Sequence, residues 1–370
     1  MASLITGHAT EAGTSEYALS SREAAPDHFR EFRGLRLSSL GMGTYLGDDD
    51  DATDRRVEEA LQEGFRSRLL NVVDTAINYR GQRAERCVGR ALQAAVKNRT
   101  LRRDQLFLST KVGYIAPDSQ SGIPPRDWVR RELLERGILS ERDIVGGSHA
   151  MTPEYLKDQI GRSLTNLGIS TVDLLYLHNA AEAQIPQVGR ARFWERLTLA
   201  FQTFESERAR GRLRWYGLAT WEALRTAPSD PGYLSLEELV RLARSVGGDD
   251  PGFRFVQFPF NLAMPEAARV KNQTVTGHRC TLFEAAHRLG LGVFTSVPLL
   301  QGRLALGRSA HPGLSPAQTA LQFARSAPHQ IAPLVGQKSP DHVRANLSLA
   351  RLPSWPPPVF DSYLRGVRDR

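Results

Sequence analysis

The sequence predicts a closed (β/α)8 (TIM) barrel, on three observations. The chain has 370 residues, 41% hydrophobic and 24% charged, an ordinary globular composition long enough for one such barrel with insertions and tails. Eight short apolar runs alternate with segments of helical periodicity, the order of parallel strands joined by crossover helices. These runs are often β-branched or aromatic and mostly lack strict alternation, as suits strands buried on both faces. An open doubly wound sheet is the competing architecture, but it normally carries a glycine-rich phosphate loop after its first strand. Gly41-Met42-Gly43-Thr44 is too short for that fingerprint.

A small hairpin is expected first, at 29–32 and 35–38 around Arg33-Gly34. The strand candidates are 37–45, 71–76, 106–112, 173–178, 214–221, 253–260, 292–298 and 331–336. Between them, Ala84, Val88, Ala91, Leu92 and Ala95 mark one helix. Leu156, Ile160, Leu164 and Leu167 share the face of another, opened by Thr152-Pro153 and closed by Gly168. Phe193, Leu197, Phe201 and Phe204 mark a longer helix that stops near Gly211. Ser235 with Glu238, Thr281 with Glu284, and Ser315 with Gln318 have capping-box spacing, and Pro316 and Pro340 each follow a serine at a helix start. The organisation read from this is an N-terminal tail (1–28), a barrel (29–350) and a C-terminal tail (351–370). One connection, 113–151, is far longer than the usual two to six residues of such loops, and is expected to form an insertion or lid.

Composition excludes several classes. Two cysteines, Cys87 and Cys280, cannot build a disulfide framework or a cysteine-rich metal site, and the nine histidines show no ligand spacing, so no metal is expected. No run approaches the length of a membrane span. The first 28 residues lack an apolar signal core, and glutamates 11, 16 and 23 argue against a transit peptide, so a cytoplasmic protein is expected. The net charge of +8 shows no basic block or aromatic-interleaved stripe, which argues against a nucleic-acid partner and leaves a solvated basic surface or an anionic small ligand. A monomer or small homo-oligomer is expected. Only five of the 48 basic residues are lysines, so a lysine inside a strand, Lys111, stands out.

In this architecture the active face lies at the C-terminal strand ends. There the sequence places Asp74 after the second strand, Lys111 in the third, His178 at the end of the fourth, Thr220 at the fifth, Gln257 and Asn261 at the sixth, Ser296 at the seventh and Lys338 at the eighth. Tyr79 lies five residues beyond Asp74. Each alone admits a bland reading: a core histidine, a packed tyrosine, a structural Asp74–Lys111 pair, a surface Lys338. Their convergence on one rim is chemically specific. A phenol is a weak acid at neutral pH, a nearby ammonium lowers its pKa, and an aspartate holds that ammonium in place. Such a tyrosine exchanges a proton with a carbonyl or alcohol oxygen, and a histidine beside it orients that oxygen. The set lacks only a hydride source.

The same residues resemble the aldo-keto reductase superfamily. The motifs are Gly41-Met-Gly-Thr44, Asn71-Val-Val-Asp-Thr-Ala-Ile-Asn-Tyr79, Leu108-Ser-Thr-Lys111, Asp173-Leu-Leu-Tyr-Leu-His178, Tyr216-Gly-Leu-Ala-Thr220, Val256-Gln-Phe-Pro-Phe-Asn261, Ser296-Val-Pro-Leu299, and Gly336-Gln-Lys-Ser-Pro340 through Asn346. The resemblance spans roughly 29–350 and implies an oxidoreductase using NADP(H), or less often NAD(H), on a small carbonyl or alcohol substrate. It makes Tyr79 the acid–base group, Asp74 and Lys111 its tuning pair and His178 the orienting histidine. Gly43, Thr44, Asp74, Thr220, Gln257, Ser296, Pro298, Leu299, Gly336, Lys338, His342 and Asn346 fall along the cofactor. A helix opening at Ser339-Pro340 suits an anion. Tyr45, Trp128 and Trp221, with Tyr79 and His178, are the expected substrate walls. The 113–151 loop with His149, the stretch 179–187 and the tail 353–370 are expected to shape the pocket. Three positions depart from the family: Ala219-Thr220 replaces a Ser-Asn pair, Ser296 an aromatic residue, and His342 an arginine. These departures also leave a non-catalytic, NADP-binding regulatory subunit as the alternative.

Overall fold

The computed structural model, which describes residues 4–307 and 311–366, closes eight parallel strands into a barrel. In chain order α1 (Glu11–Ser20) precedes the hairpin β1 (Phe29–Phe32) and β2 (Leu35–Ser38), then β3 (Gly41–Gly43), α2 (Asp51–Arg66), β4 (Val72–Asp74) and α3 (Arg83–Lys97). Next come β5 (Phe107–Val112), α4 (Pro125–Val129), α5 (Pro153–Leu167), β6 (Val172–His178), α6 (Ala180–Ala209), β7 (Leu213–Ala219) and α7 (Leu236–Gly247). The chain ends with β8 (Phe253–Pro259), α8 (Glu266–Arg269), β9 (Gln273–Val275), β10 (His278–Cys280), α9 (Leu282–Arg288), β11 (Gly292–Ser296), α10 (Pro316–Arg325), β12 (Ala332–Gly336), α11 (Pro340–Leu347) and α12 (Pro357–Gly366). The barrel runs β3-β4-β5-β6-β7-β8-β11-β12 and back to β3, while β1–β2 and β9–β10 are separate antiparallel pairs. No helix among the described residues is long and apolar enough to cross a membrane.

The expected first strand, 37–45, proves to be two. Residues 35–38 belong to the hairpin, and only 41–43 enter the barrel. The break comes at Ser38, whose backbone N–H donates to the Asn71 side chain (2.8 Å) and whose hydroxyl donates to the Leu40 carbonyl (2.8 Å). The fifth and seventh strands end before Thr220 and Pro298, leaving those residues in loops over the barrel mouth.

Alternate strand residues fill the barrel in layers. Val72, Phe107, Leu174, Trp215, Phe255, Phe294 and Ala332 form the lower layer, closed beneath by Phe32, Leu35 and Leu37 of the hairpin. Phe107 and Phe294 flank Phe255 at ring-centre distances of 5.5 and 5.9 Å. Two residues further along β4, β5 and β8 the lining turns polar with the buried Asp74, Ser109 and Gln257, and Lys111, also buried, follows two residues later in β5. Gly217 marks a register shift between β7 and β8; a side chain there would place its Cβ 2.0 Å from the Phe255 carbonyl oxygen.

The helices follow the cap chemistry except at the start of α5, where the buried Thr152 hydroxyl makes no cap hydrogen bond. Gly168 closes α5 in the left-handed conformation (φ 65°). Thr281–Glu284 and Ser315–Gln318 form complete capping boxes, and the Ser235 side chain accepts from the Glu238 N–H. Helix α6 begins 13 residues before Phe193 and kinks at Gly189 (φ 76°, ψ 162°). The 113–151 insertion builds its own core from Trp128, Leu133, Leu139 and Ala150 against Tyr155 of α5.

The N-terminal segment is tied to the barrel floor. Ile5 pairs with Ile169, and the Tyr17 hydroxyl donates to the Leu70 carbonyl at 2.9 Å. Asp173, fully buried, accepts from the Ala9 N–H (2.6 Å), the Leu108 N–H (2.9 Å) and the Arg103 guanidinium (2.6 Å). Removing one partner of a buried charge pair strands the other. Asp173→Ala is therefore expected to lower stability by about 3–5 kcal/mol in urea unfolding; a loss under about 1 kcal/mol would show the node to be dispensable.

Candidate active site

A cavity of ≈ 630 Å³ opens at the C-terminal ends of the strands, lined by Gly43, Thr44, Tyr45, Asp74, Tyr79, His178, Thr220, Gln257, Ser296 and Lys338 among others. Its floor is an ion pair. Asp74 ends β4 and Lys111 lies in β5, and Lys111 Nζ donates to Asp74 Oδ2 with both side chains buried. Lys111 Nζ also donates to the Thr75 carbonyl at 2.9 Å. Asp74 Oδ1 accepts from the Ser109 hydroxyl at 2.6 Å and from Gln257 Nε2 at 3.3 Å. Both charges thus have charge-assisted partners, the condition for keeping them inside. Burial alone would push the Lys111 pKa down, but the Asp74 carboxylate and Tyr79 outweigh it, and the net shift is upward.

Tyr79 stands over this pair. The loop after β4 turns back, with the Tyr79 N–H donating to the Ala76 carbonyl (3.1 Å), and sets the ring centre 4.9 Å from Lys111 Nζ. The electrostatics correct the expectation of an acidified phenol. Burial pushes the Tyr79 pKa above its usual value and Asp74 adds to that; the Lys111 ammonium pulls down without prevailing. The phenol is held as an acid.

His178 ends β6 with its ring centre 5.8 Å from that of Tyr79 and 5.1 Å from that of Tyr114. Burial, then Lys111 and His149, hold its pKa well below the usual histidine value, so the ring is neutral at pH 7. Its buried Nδ1 has no hydrogen-bond partner within the protein.

The other end of the cavity leads to β12 and α11. Gly336, Lys338, His342 and Asn346 line it there, and Leu299 and Pro298 line the side. The Ser339 side chain caps α11 by accepting from the His342 N–H. Lys338 makes no ion pair among the described residues, whereas Arg344 is drawn away to Glu63 (3.0 Å) and Asp341. Asn346 Nδ2 donates to Gln337 Oε1 at 2.8 Å. The Thr220 hydroxyl, buried on the cavity wall, has no partner within the protein.

A profile of the aldo/keto reductase family matches residues 39–234. The chain belongs to the aldo/keto reductase family. Among solved structures, an aldo/keto reductase from Klebsiella pneumoniae in complex with NADP and acetate superposes with a TM-score of 0.61 at 19% identity, covering 93% of this chain and 96% of that one. The holo form of an aldo-keto reductase from Bacillus halodurans gives a TM-score of 0.60 at 18% identity, covering 92% and 96% of the two chains. At such identities the likeness is one of fold.

In this aldo/keto reductase, every cofactor-side residue expected from the sequence lines the one cavity, as do Tyr79, His178, Tyr45 and Trp221. Tyr45 is 55% and Trp221 40% exposed, which puts both at the mouth. Trp221 is anchored from below: its N–H, with those of Glu222 and Ala223, donates to Glu182 Oε1 at 2.8–3.0 Å. Lys111 lies behind Tyr79 and does not itself line the cavity. Trp128 is a correction: it is buried inside the insertion under Arg162, 5.0 Å from its ring, and does not line the cavity. Of the whole 113–151 insertion only Tyr114 lines it, so the segment packs beside the site and does not cover it. The 179–187 stretch contributes Asn179 alone, and α12 contributes nothing, its Phe360 packing on Phe323 at 5.2 Å. Tyr114 and Asn179, outside the quoted motifs, and Asn78, inside one without being singled out, also line the cavity; their signal is position, each within two residues of a strand end or a proposed site residue.

Buried histidines set an acid limit on stability. Burial holds His28 at about 3, His149 at about 4 and His178 well below the usual value. In the unfolded chain each takes a proton near pH ~6.5, so below that pH the unfolded state binds more protons and stability drains away as pH falls. The melting temperature is expected to be highest above pH ~6.5 and to drop steadily toward pH ~4; thermal scans giving one temperature across that window would overturn the assignment.

Proposed function

We propose that this protein is an NADP(H)-dependent oxidoreductase that interconverts carbonyl compounds (aldehydes, ketones or sugars) and alcohols, with Tyr79 as general acid and base. The observation that carries the reading is the placement of the Tyr79 ring over a buried Lys111–Asp74 pair, beside a neutral His178, in a cavity of ≈ 630 Å³ whose wall includes the unpartnered Thr220 hydroxyl. NADP in the Klebsiella relative supports the cofactor.

The residues present suit that cofactor. The unpartnered Thr220 hydroxyl and the Gln257 amide offer hydrogen bonds to the carboxamide, and Gly43, Thr44, Ser296, Pro298 and Leu299 supply the walls. Gly336, Lys338, His342, Asn346 and the first turn of α11 offer cationic and N–H contacts to phosphate. When bound, NADPH supplies a hydride to the carbonyl carbon. Tyr79 gives its proton to the carbonyl oxygen as the carbon–oxygen π pair moves there, and Lys111 stabilises the phenolate left behind. His178, uncharged, orients that oxygen without competing as an acid. Asp74 keeps the ammonium charged and fixed. In the reverse direction the phenolate takes the alcohol proton.

Tyr79→Phe is expected to lower kcat for NADPH-dependent reduction of an aldehyde panel by about 10²–10⁴-fold, with NADPH affinity by fluorescence quenching within twofold. A Phe variant with full turnover would remove the mechanism, and NADPH binding with no turnover by the unaltered protein would favour the regulatory-subunit reading. Because the phenol's pKa is raised, the reductive kcat should stay level from neutral pH up to about 10; a fall centred near pH 7–8 would contradict the acid assignment.

A further inference from the structure

The proposed mechanism leaves His149 unused. It is the third residue from the end of the insertion, fully buried, and 29 residues before His178 in sequence. Its Nε2 lies 3.0 Å from the His178 backbone carbonyl oxygen, and its Nδ1 lies 3.0 Å from Gln184 Nε2 of α6. Gln184 Oε1 in turn lies 2.6 Å from Arg196 Nη1.

The roles along this chain are fixed by chemistry. An arginine only donates, so the Gln184 oxygen must accept and its amide nitrogen must face His149. That nitrogen donates to Nδ1, so Nδ1 carries the lone pair and the proton sits on Nε2. Nε2–H then donates to a carbonyl oxygen, which only accepts. Every group has one consistent role, and the far end is the backbone of the residue whose ring orients the substrate oxygen.

The backbone makes room for this imidazole. Gly113 adopts φ +124°, and a Cβ there would stand 2.6 Å from His149 Nε2. The Ala150 N–H donates to the Gly113 carbonyl at 2.9 Å, and the His149 and Val145 backbones exchange hydrogen bonds at 2.7 and 3.1 Å. Tyr114 then packs edge-on against both imidazoles, with ring centres 5.3 Å from His149 and 5.1 Å from His178. Immediately after His178 the chain turns sharply through Asn179 at φ +46°. The His178 ring itself is held only by packing, its Nδ1 being unpartnered. The backbone anchor is what is left to set its angle.

We propose that His149 is a positioning residue: the 113–151 insertion serves the site by clamping the His178 backbone through a neutral Nε2–H tautomer set by Gln184 and Arg196, with Gly113 as the gap that admits the ring. The proposal rests on His178 orienting the substrate, as set out above.

The test has two arms. In the first, long-range 1H–15N correlation spectra of the 15N-histidine-labelled protein at pH 7, with His149 assigned from the spectrum of His149→Gln, should show His149 as a single neutral Nε2–H tautomer. An Nδ1–H tautomer, or averaging between the two, overturns the chain. In the second, steady-state kinetics with NADPH and 4-nitrobenzaldehyde compare three variants. A glutamine amide reaches where Nε2 stood, an asparagine amide only where Nδ1 stood, and leucine donates nothing. His149→Leu and His149→Asn should lose about 10- to 100-fold in kcat with NADPH affinity unchanged, and His149→Gln should restore most of it. Equal losses in all three, or kcat of His149→Leu within twofold of the parent, overturns the proposal. Failure of the unaltered protein to oxidise NADPH with any aldehyde would strike the proposed function instead, and the tautomer would still decide the clamp.

Discussion

Two opposite charges buried side by side at the mouth of an apolar barrel are the constraint on which the site depends. Lys111 and Asp74 are each almost wholly removed from water, so neither is tolerable without the other. Four further groups complete their hydrogen bonding or flank it: Ser109, Gln257, the Thr75 carbonyl and the Tyr79 ring. Ser109 shares β5 with Lys111, Thr75 and Tyr79 follow β4, and Gln257 reaches in from β8 across the barrel, which ties the chemistry to barrel closure. The pair also bears on the acid role proposed for Tyr79. Burial keeps its proton on, and the ammonium beside it lowers the cost of the moment when the proton has left.

His178 illustrates the complementary solution. Burial and the nearby ammonium keep it uncharged, so in the proposed mechanism it orients without taking part in the proton balance. A ring without its own anchor needs a rigid mount, and the mount comes from packing with Tyr79 and Tyr114 and from the backbone contact to His149. The long connection after β5 thus earns its place by supporting the floor of the site from the side, through a compact core of its own.

Much of this was legible in the sequence because barrels write their pattern locally. Strand runs such as 253–260 and caps such as Ser315–Gln318 depend on neighbours a few residues away, and they appear where the pattern puts them. The rim residues were legible because strand ends converge by construction. What was not legible depends on contacts between distant segments. The split at Ser38 needs the Asn71 side chain. Trp128 looks like a pocket wall until Leu133, Leu139 and Tyr155 are seen to enclose it. The direction of the Tyr79 shift turns on how much water burial removes against how close Lys111 comes, and neither quantity is in the spacing of residues. His149 stands in the sequence only as part of a long loop, since nothing local announces that its imidazole reaches the end of β6.

The layering of the barrel has a further consequence. Single strands carry both kinds of residue: β5 begins with Phe107 in the aromatic plug and carries Lys111 near its far end in the site, and β8 steps from Phe255 to Gln257. A few ångströms along one backbone separate the part that holds the molecule shut from the part that meets the ligand. The upper storey can therefore be refurnished, as at Ala219-Thr220, Ser296 and His342, while the foundations stay as they are. The cavity lining and the aromatic plug occupy different heights of the same eight staves.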